Sequence, residues 1–274
     1  IPTKYGQSLP VESINKKVLG WKSLDEKGNI WFGHEFELKN DDIIISADSD
    51  DTTKRLSQIL NAAKTLNPNF LKTETGFKVT TSLTFPRKWG LGTSSTLINN
   101  VAQWAKINAF ELLQLTFGGS GYDIACAQNN TPIIYQTLNN KITVNPIDFN
   151  PEFKDQLYFV YLNQKKNSRE GISAYNSNKT NLNIPEINSI VMQIAESKTL
   201  AIFETLINKH ETIISKITKQ KPVKELLFSD FEGSIKSLGA WGGDFVLVVS
   251  QHPPNDYFNN KGYDTIIPYS DMIL

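Results

Sequence analysis

The chain is short of the residues that a disulfide or zinc protein needs. Its 274 residues include one cysteine, Cys126, which excludes an intramolecular disulfide framework and a cysteine-rich zinc site. Three histidines, His34, His210 and His252, stand apart, with no His-x-x-x-His spacing for a metal. Net charge is missing as well, because 28 basic side chains are balanced by 28 acidic ones. Nucleic acid and anionic membrane both demand a basic surface, so neither is expected as a partner. No apolar run approaches the roughly 20 residues that span a bilayer, and no signal-peptide pattern stands at the start. There is no internal repeat and no low-complexity tract. What is present is ordinary globular composition, 39% hydrophobic and 20% charged, enough for one large domain or two modest ones. The expectation is a cytoplasmic enzyme or binding protein.

Strand and helix patterns alternate along the chain without strict βαβ order. From Gly76 to Pro86, Phe77, Val79, Leu83 and Phe85 face one way and Lys78, Thr80, Ser82 and Thr84 the other. That period of two predicts a half-buried strand ended by proline. A loop, Lys88-Trp89-Gly90-Leu91-Gly92-Thr93-Ser94-Ser95, comes after it. Leu97, Ile98, Val101, Trp104 and Ala105 then recur at helical spacing, with Thr93 or Ser94 as the expected N-cap. A second helical stretch, 109–115, leads to Gly118-Gly119-Ser120-Gly121-Tyr122-Asp123. Ile133–Tyr135 and Ile142–Val144 flank Asn139-Asn140 as a hairpin. Further on, 157–162 is a continuous apolar strand and 163–169 a polar, basic loop. Residues 184–217 are expected as two helices broken around Ser197, and 245–249 as a buried strand. The pattern predicts an α+β fold in two lobes, 1–150 and 151–274.

The chemistry concentrates in three glycine turns. Gly90-Leu91-Gly92-Thr93-Ser94-Ser95 joins a strand to a helix, where free backbone N–H groups and the helix dipole favour an anion. Glycines allow close approach to phosphate oxygens, and hydroxyls suit phosphate or magnesium. No Gly-Lys-Ser/Thr stands at the required spacing, so it is not a Walker loop, and it lacks the third glycine of a Rossmann turn. Alone it reads equally well as a tight turn with a serine cap. Asp123 at the next helix start reads either as a dipole partner or as a carboxylate aimed at a nucleophile. Gly239-Ala240-Trp241-Gly242-Gly243-Asp244 before a core strand is, alone, a bulge or turn.

In this order the three segments resemble the GHMP kinase superfamily. Pro86-Arg87-Lys88-Trp89-Gly90-Leu91-Gly92-Thr93-Ser94-Ser95 is similar to its Pro-x₃-Gly-Leu-Gly-Ser-Ser-Ala motif. Gly121-Tyr122-Asp123-Ile124-Ala125 resembles a subgroup marked by that five-residue run, and also the phosphomevalonate kinase context of the catalytic aspartate. Gly239 to Asp244 is similar to the third motif. The resemblance implies a two-lobed fold with ATP and substrate in the inter-lobe cleft. It implies that Gly90, Leu91, Gly92, Thr93, Ser94 and Ser95 hold the ATP phosphates, with Ser95 near Mg²⁺, and that Asp123 is catalytic. Gly121, Gly239, Ala240, Gly242 and Gly243, with Lys165, Ser168 and Arg169 from the basic loop, are then the expected substrate contacts. The implied function is ATP-dependent phosphorylation of a small acidic metabolite, mevalonate or phosphomevalonate, by a protein whose expected oligomer, if any, is a homodimer.

Three features depart from the pattern. The family's opening motif, a lysine-bearing strand with a Gly-Glu-His or Gly-Glu-Tyr turn, has no match. Pro2-Thr3-Lys4-Tyr5-Gly6 resembles the segment that normally comes just after that motif, so the first lobe is expected to lack its first strand. Trp241 replaces a motif glycine and is expected to crowd the turn. No clear match exists for the acidic magnesium ligand; Glu111 reads better as a solvated helix charge. The rival readings are a mevalonate diphosphate decarboxylase-like enzyme and a catalytically silent nucleotide- or metabolite-binding protein. Cys126 is expected as a small buried residue, and Trp21, Trp31, Trp89 and Trp104 as packing groups.

Overall fold

The architecture is that of a computed structural model, described for residues 1–39, 42–72, 74–139, 141–164, 184–239, 241 and 243–274. The chain divides into two compact units. Ile1–Arg87 and Leu91–Pro146 make the first; Lys88–Gly90 and Ile147–Leu274 make the second. Among the described residues no helix is long and apolar enough to cross a membrane.

The first unit is built on a six-stranded sheet. Its strands are β1 (Gln7–Ser8), β2 (Val11–Ile14), β3 (Val18–Leu24), β4 (Ile30–Lys39), β5 (Asp42–Ile44) and β6 (Gly76–Leu83). They run in the order β1-β6-β3-β4-β5, with β2 also pairing with β6. β6 lies parallel to β3, while β3 and β4 form an antiparallel pair. The alternation read in the sequence is the alternation found: Val79 and Leu83 are buried and Lys78 is exposed. Thr81 is also buried, and its hydroxyl donates to Ser23 Oγ at 2.9 Å, so the polar atom is not orphaned.

Four helices cover the sheet: α1 (Asp51–Leu66), α2 (Thr93–Ala105), α3 (Ala109–Thr116) and α4 (Tyr122–Ala127). The Asp50 carboxylate caps α1 by accepting from the Thr53 N–H. Leu60, Ile98, Val101, Leu112 and Ile124 from these helices meet Leu19, Trp21, Phe36 and Val79 in one core. Trp104 packs edge-on against Phe70 and Phe77. The hairpin β7 (Ile133–Leu138) and β8 (Lys141–Pro146) pairs as the sequence predicts. Cys126 is half-buried rather than buried, because it lies on a six-residue helix with only Ile124 and Ala125 turned fully inward.

The second unit holds a four-stranded antiparallel sheet in the order β10 (Ser234–Ser237), β11 (Phe245–Val249), β9 (Leu157–Tyr161), β12 (Ile266–Pro268). Every residue of β9 is buried, which explains its unbroken apolar run. α5 (Ile184–Glu196) and α6 (Leu200–Thr218) are separate helices, and the Thr199 hydroxyl caps the second. α7 (Val223–Leu227), α8 (Asn255–Asn260) and α9 (Tyr269–Met272) are short. Phe228 and Phe258 pack edge-on inside a core shared with Val160, Val246 and Val248.

One charged pair is sealed where α6 meets β10. Lys236 Nζ donates to Glu211 Oε1 at 3.2 Å and also lies 3.2 Å from His210 Nδ1. Burial lowers the Lys236 pKa, against the opposing pull of Glu211. His210 is pushed down to about 4 by burial and by Lys236, so it is neutral near pH 7. Removing the lysine leaves the Glu211 charge uncompensated in the interior. Lys236→Ala should therefore cost about 3–5 kcal/mol in urea unfolding, and Lys236→Met with Glu211→Leu should recover most of that.

Candidate active site

β6 delivers the chain to the first glycine turn. After Pro86 comes a short 3-10 turn over Arg87–Trp89, then Gly90 at φ 70° and Gly92 at φ 71°. Gly92 is the N-cap of α2, in the left-handed region and without a side-chain cap. This corrects the expected Thr93 or Ser94 cap. Glycine takes that backbone conformation without penalty, so no hydroxyl is consumed in capping. Thr93, Ser94 and Ser95 become the first three helical residues, whose N–H groups have no intrahelical acceptor. Among the described residues their hydroxyls have no protein hydrogen-bond partner, and α2 carries no acid in its first turn. The turn is anchored one residue later: Thr96 Oγ1 donates to Gln7 Oε1 at 2.9 Å, and Asn100 Nδ2 to the Gln7 carbonyl at 2.7 Å. Leu91 lies half-buried between the two glycines.

The second turn aims a carboxylate at the first. Gly118, Gly119 and Gly121 all have positive φ, and Gly121 caps α4. A side chain there is excluded, since a Cβ would sit 2.9 Å from Phe110 Cδ1. The Tyr135 hydroxyl of β7 donates to the Ser120 carbonyl and closes the turn from outside. α4 is tied to α2 by Gln128 Nε2, which donates to Asn99 Oδ1 at 3.0 Å. Asp123 then lies in the first turn of α4, and a Cβ on Gly92 would be 3.7 Å from its carboxyl carbon. Asp123 and the start of α2 are thus adjacent within one unit. Burial raises the Asp123 pKa above the ordinary 3.8, outweighing a hydrogen bond with Tyr122. Glu111, by contrast, is exposed on α3.

The third turn lies in the second unit, as does Gly90. Gly239, Trp241 and Asp244 all have positive φ. Trp241 is buried in a conformation that the glycine it replaces would adopt without cost. Its indole N–H has no partner among the described residues. Gly243 is buried; Ala240 and Gly242 lie outside the described residues. The Asp244 carboxyl occupies the space where Gly90 would carry a Cβ, and its Oδ2 is 3.6 Å from the corresponding position on Gly239. The Asp244 N–H donates to the Gln164 carbonyl at 2.9 Å, and its carbonyl accepts from Leu162 at 2.7 Å. Trp89 packs edge-on against Phe245 at 5.4 Å, and Tyr161 donates to the Lys88 carbonyl at 2.9 Å. Burial, and then Asp244, raise the Tyr161 pKa.

Asp244, Tyr161 and Trp89 were not assigned to the site by sequence reasoning. The signal for Asp244 was present, because it ends the third motif. Lys165, Ser168 and Arg169 lie outside the described residues. Among the described residues no group of three or more His, Cys, Asp or Glu side chains could hold a metal. The Ser95 hydroxyl and the Asp123 carboxylate are hard oxygen donors, which fit magnesium held mainly by phosphate oxygens.

This is the GHMP kinase fold. A Listeria innocua protein matches with a TM-score of 0.69 at 16% identity, over 97% of this chain and 88% of that one. Lactococcus lactis galactokinase, solved with galactose, matches at 0.64 with 13% identity, over 97% and 86%. Streptococcus pneumoniae phosphomevalonate kinase, solved with phosphomevalonate and AMPPNP, matches at 0.63 with 12% identity, over 96% and 87%. No protein-family model matches the chain, and no curated protein matches it.

The two loop glycines should answer differently to a methyl group. Both have positive φ, which costs an alanine about 1–2 kcal/mol. At Gly92 the new Cβ meets Asp123 at an ordinary 3.7 Å, whereas at Gly90 it collides with Asp244. Gly92→Ala should lose about 1 kcal/mol in urea unfolding and Gly90→Ala about 2–3 kcal/mol. Equal losses would contradict the Asp244 contact.

Proposed function

We propose that the chain is an ATP- and Mg²⁺-dependent kinase for a small acidic metabolite, with mevalonate or phosphomevalonate as acceptor. One observation carries this reading: a partly buried carboxyl, Asp123, stands beside Gly92 at the start of a helix whose first-turn hydroxyls and N–H groups have no partner among the described residues. An anion is favoured there by the open N–H groups, and a proton acceptor is held next to it. The fold likeness to phosphomevalonate and sugar kinases supports a phosphorylated nucleotide as donor. It does not separate the acceptors.

In this reading the N–H groups of Thr93, Ser94 and Ser95 hold the nucleotide phosphates. Gly90 and Gly92 let the backbone approach them. The Ser95 hydroxyl would contribute an oxygen to magnesium, which would neutralise charge on the transferred phosphoryl group. Asp123 orients the acceptor hydroxyl, or an acceptor phosphate, and takes up its proton as it attacks. Phosphoryl transfer is mostly positioning and charge stabilisation, so a rigid start to α2 matters more than a strong nucleophile. Gly121, Gly239, Ala240, Gly242 and Gly243, with Lys165, Ser168 and Arg169, are the proposed acceptor contacts.

Mg-ADP at 100-fold excess over Kd should stabilise the fold by about 2.7 kcal/mol, and Ser95→Ala should weaken the magnesium-dependent part of the shift. No shift at millimolar nucleotide would sink the phosphate-loop reading. ADP release screened over mevalonate, phosphomevalonate, homoserine and simple sugars identifies the acceptor; release of CO₂ would instead favour the decarboxylase-like rival.

Asp123→Asn should cut turnover roughly 10²-fold with little change in nucleotide affinity. Because the Asp123 pKa is raised, protonation removes the base at a pH above the ordinary carboxylate range. The kcat/KM profile should therefore fall on the acid side above pH 3.8, and Asp123→Asn should lose that limb. The sign for stability is opposite: a raised folded pKa means that ionised Asp123 costs stability, and the cost grows as pH rises through that pKa. At neutral pH Asp123→Asn should melt at or above the wild-type temperature.

A further inference from the structure

Lys88, Trp89 and Gly90 are each held by a different side chain. Tyr161 of β9 donates to the Lys88 carbonyl at 2.9 Å, Phe245 of β11 packs edge-on against Trp89 at 5.4 Å, and the Asp244 carboxyl lies against Gly90. All six residues belong to the second unit. Tyr161 and Phe245 pair directly across β9 and β11, so the holding side chains come from one end of the same strand pair. Beyond Gly90, among the described residues, the next side chain of this segment with a hydrogen bond is Thr96, which donates to Gln7 Oε1. Residues 91–95 are thus suspended between two anchored ends.

The Asp244 contact is the one that reaches the glycine turn itself. Its carboxyl carbon and both oxygens are the atoms nearest to where Gly90 would carry a Cβ, and its Oδ2 lies 3.6 Å from the corresponding position on Gly239. One carboxyl therefore touches both turns. Its own backbone is fixed on either side: the N–H donates to the Gln164 carbonyl at 2.9 Å and the carbonyl accepts from Leu162 at 2.7 Å. The φ of 53° at Asp244 is one that aspartate and asparagine tolerate better than most residues. Gly90, at φ 70°, has the widest choice of backbone conformations that any residue has. A carboxyl lodged in its side-chain space removes every alternative that would swing backbone into that volume. Strained, closely packed backbone of this kind persists where the surrounding structure holds it for a purpose.

We propose that Asp244 is a positioning residue: its carboxyl holds Gly90 in the conformation from which residues 91–95 meet the nucleotide, and it does so without touching the ligand. The proposal rests on the nucleotide-binding reading above and deepens it. Ordering a glycine turn is a cost of binding, and the Asp244 contact has met that cost in the free protein. The contact uses the outline of the carboxyl rather than its charge. Asparagine, with the same outline and the same tolerance of positive φ, should therefore replace it, and a residue that empties the space should not.

Isothermal titration calorimetry with Mg-ADP, and amide hydrogen exchange of peptide 86–96 in the free protein, test it together. Asp244→Ala should weaken Mg-ADP about 10-fold and speed exchange of that peptide, whereas Asp244→Asn should stay within about twofold of the wild type in both. Asp244→Gly, which takes the positive φ without strain, should match Asp244→Ala and so separates loss of the carboxyl from backbone strain at residue 244. With the carboxyl gone, the methyl of Gly90→Ala has room, so Gly90→Ala should cost less affinity in the Asp244→Ala background than in the wild type. Unchanged affinity in Asp244→Ala and Asp244→Gly would overturn the proposal, as would additive losses in the double variant. An Asp244→Asn loss equal to that of Asp244→Ala, or weaker binding with unchanged exchange, would also overturn it, by showing that the charge meets the ligand directly. A wild type that binds no Mg-ADP defeats the nucleotide-site reading and the proposal with it, while a binding wild type with indifferent Asp244 variants defeats the proposal alone.

Discussion

The approach of the Asp123 carboxyl to Gly92 is the contact on which the proposed chemistry depends. A carboxylate beside the first turn of a helix would ordinarily be consumed as a cap or dipole partner. Here the cap is a left-handed glycine, which offers backbone alone. The carboxyl can therefore stand near the helix start while, among the described residues, the N–H groups and hydroxyls of Thr93, Ser94 and Ser95 remain unspent. A larger residue at Gly92 would be strained by its φ, although a Cβ there would meet Asp123 at an ordinary contact distance.

That approach is held by contacts well removed from it. Phe110 lies under Gly121, Tyr135 holds the Ser120 carbonyl, and Gln128 ties α4 to Asn99 of α2. Gln7 fixes the other side of α2 through Thr96 and Asn100. Sheet edge, helix and hairpin thus set the two helix starts from separate directions. In the second unit, Asp244 fills the space that Gly90 leaves open, and the Trp89–Phe245–Tyr161 cluster holds the residues preceding Gly90. The glycines serve different needs: Gly90 admits a carboxyl, Gly121 admits an aromatic ring, and Gly92 supplies a cap without a side chain.

The local patterns were legible in the sequence, because they arise from periodicity and backbone chemistry. The alternation of β6, the break between α5 and α6, the β7–β8 hairpin and the order of the glycine turns are of this kind. The cap of α2 was misread because a hydroxyl cap and a left-handed glycine cap compete for the same position, and sequence statistics favour the hydroxyl. The long-range pairings were not legible at all. Nothing in Lys236 announces Glu211, twenty-five residues earlier, and nothing in Tyr161 announces the Lys88 carbonyl, seventy-three residues before it. Such contacts depend on which strand lies beside which, and that order is decided by the whole core.

Electrostatic division arises from the same placement. The start of α2 carries no acid in its first turn, so its partial positive charge is not cancelled locally. Asp123 brings negative charge close to it, and burial moves that group toward its neutral form. A carboxyl with a raised pKa is a poorer permanent anion and a better proton acceptor near neutrality. Beside the proposed polyphosphate it would exert less repulsion than an ordinary aspartate. A fully exposed aspartate in the same place would keep its charge throughout and oppose the anion. Partial burial of Asp123 is thus what would let an acid and the proposed anion site share one helix start.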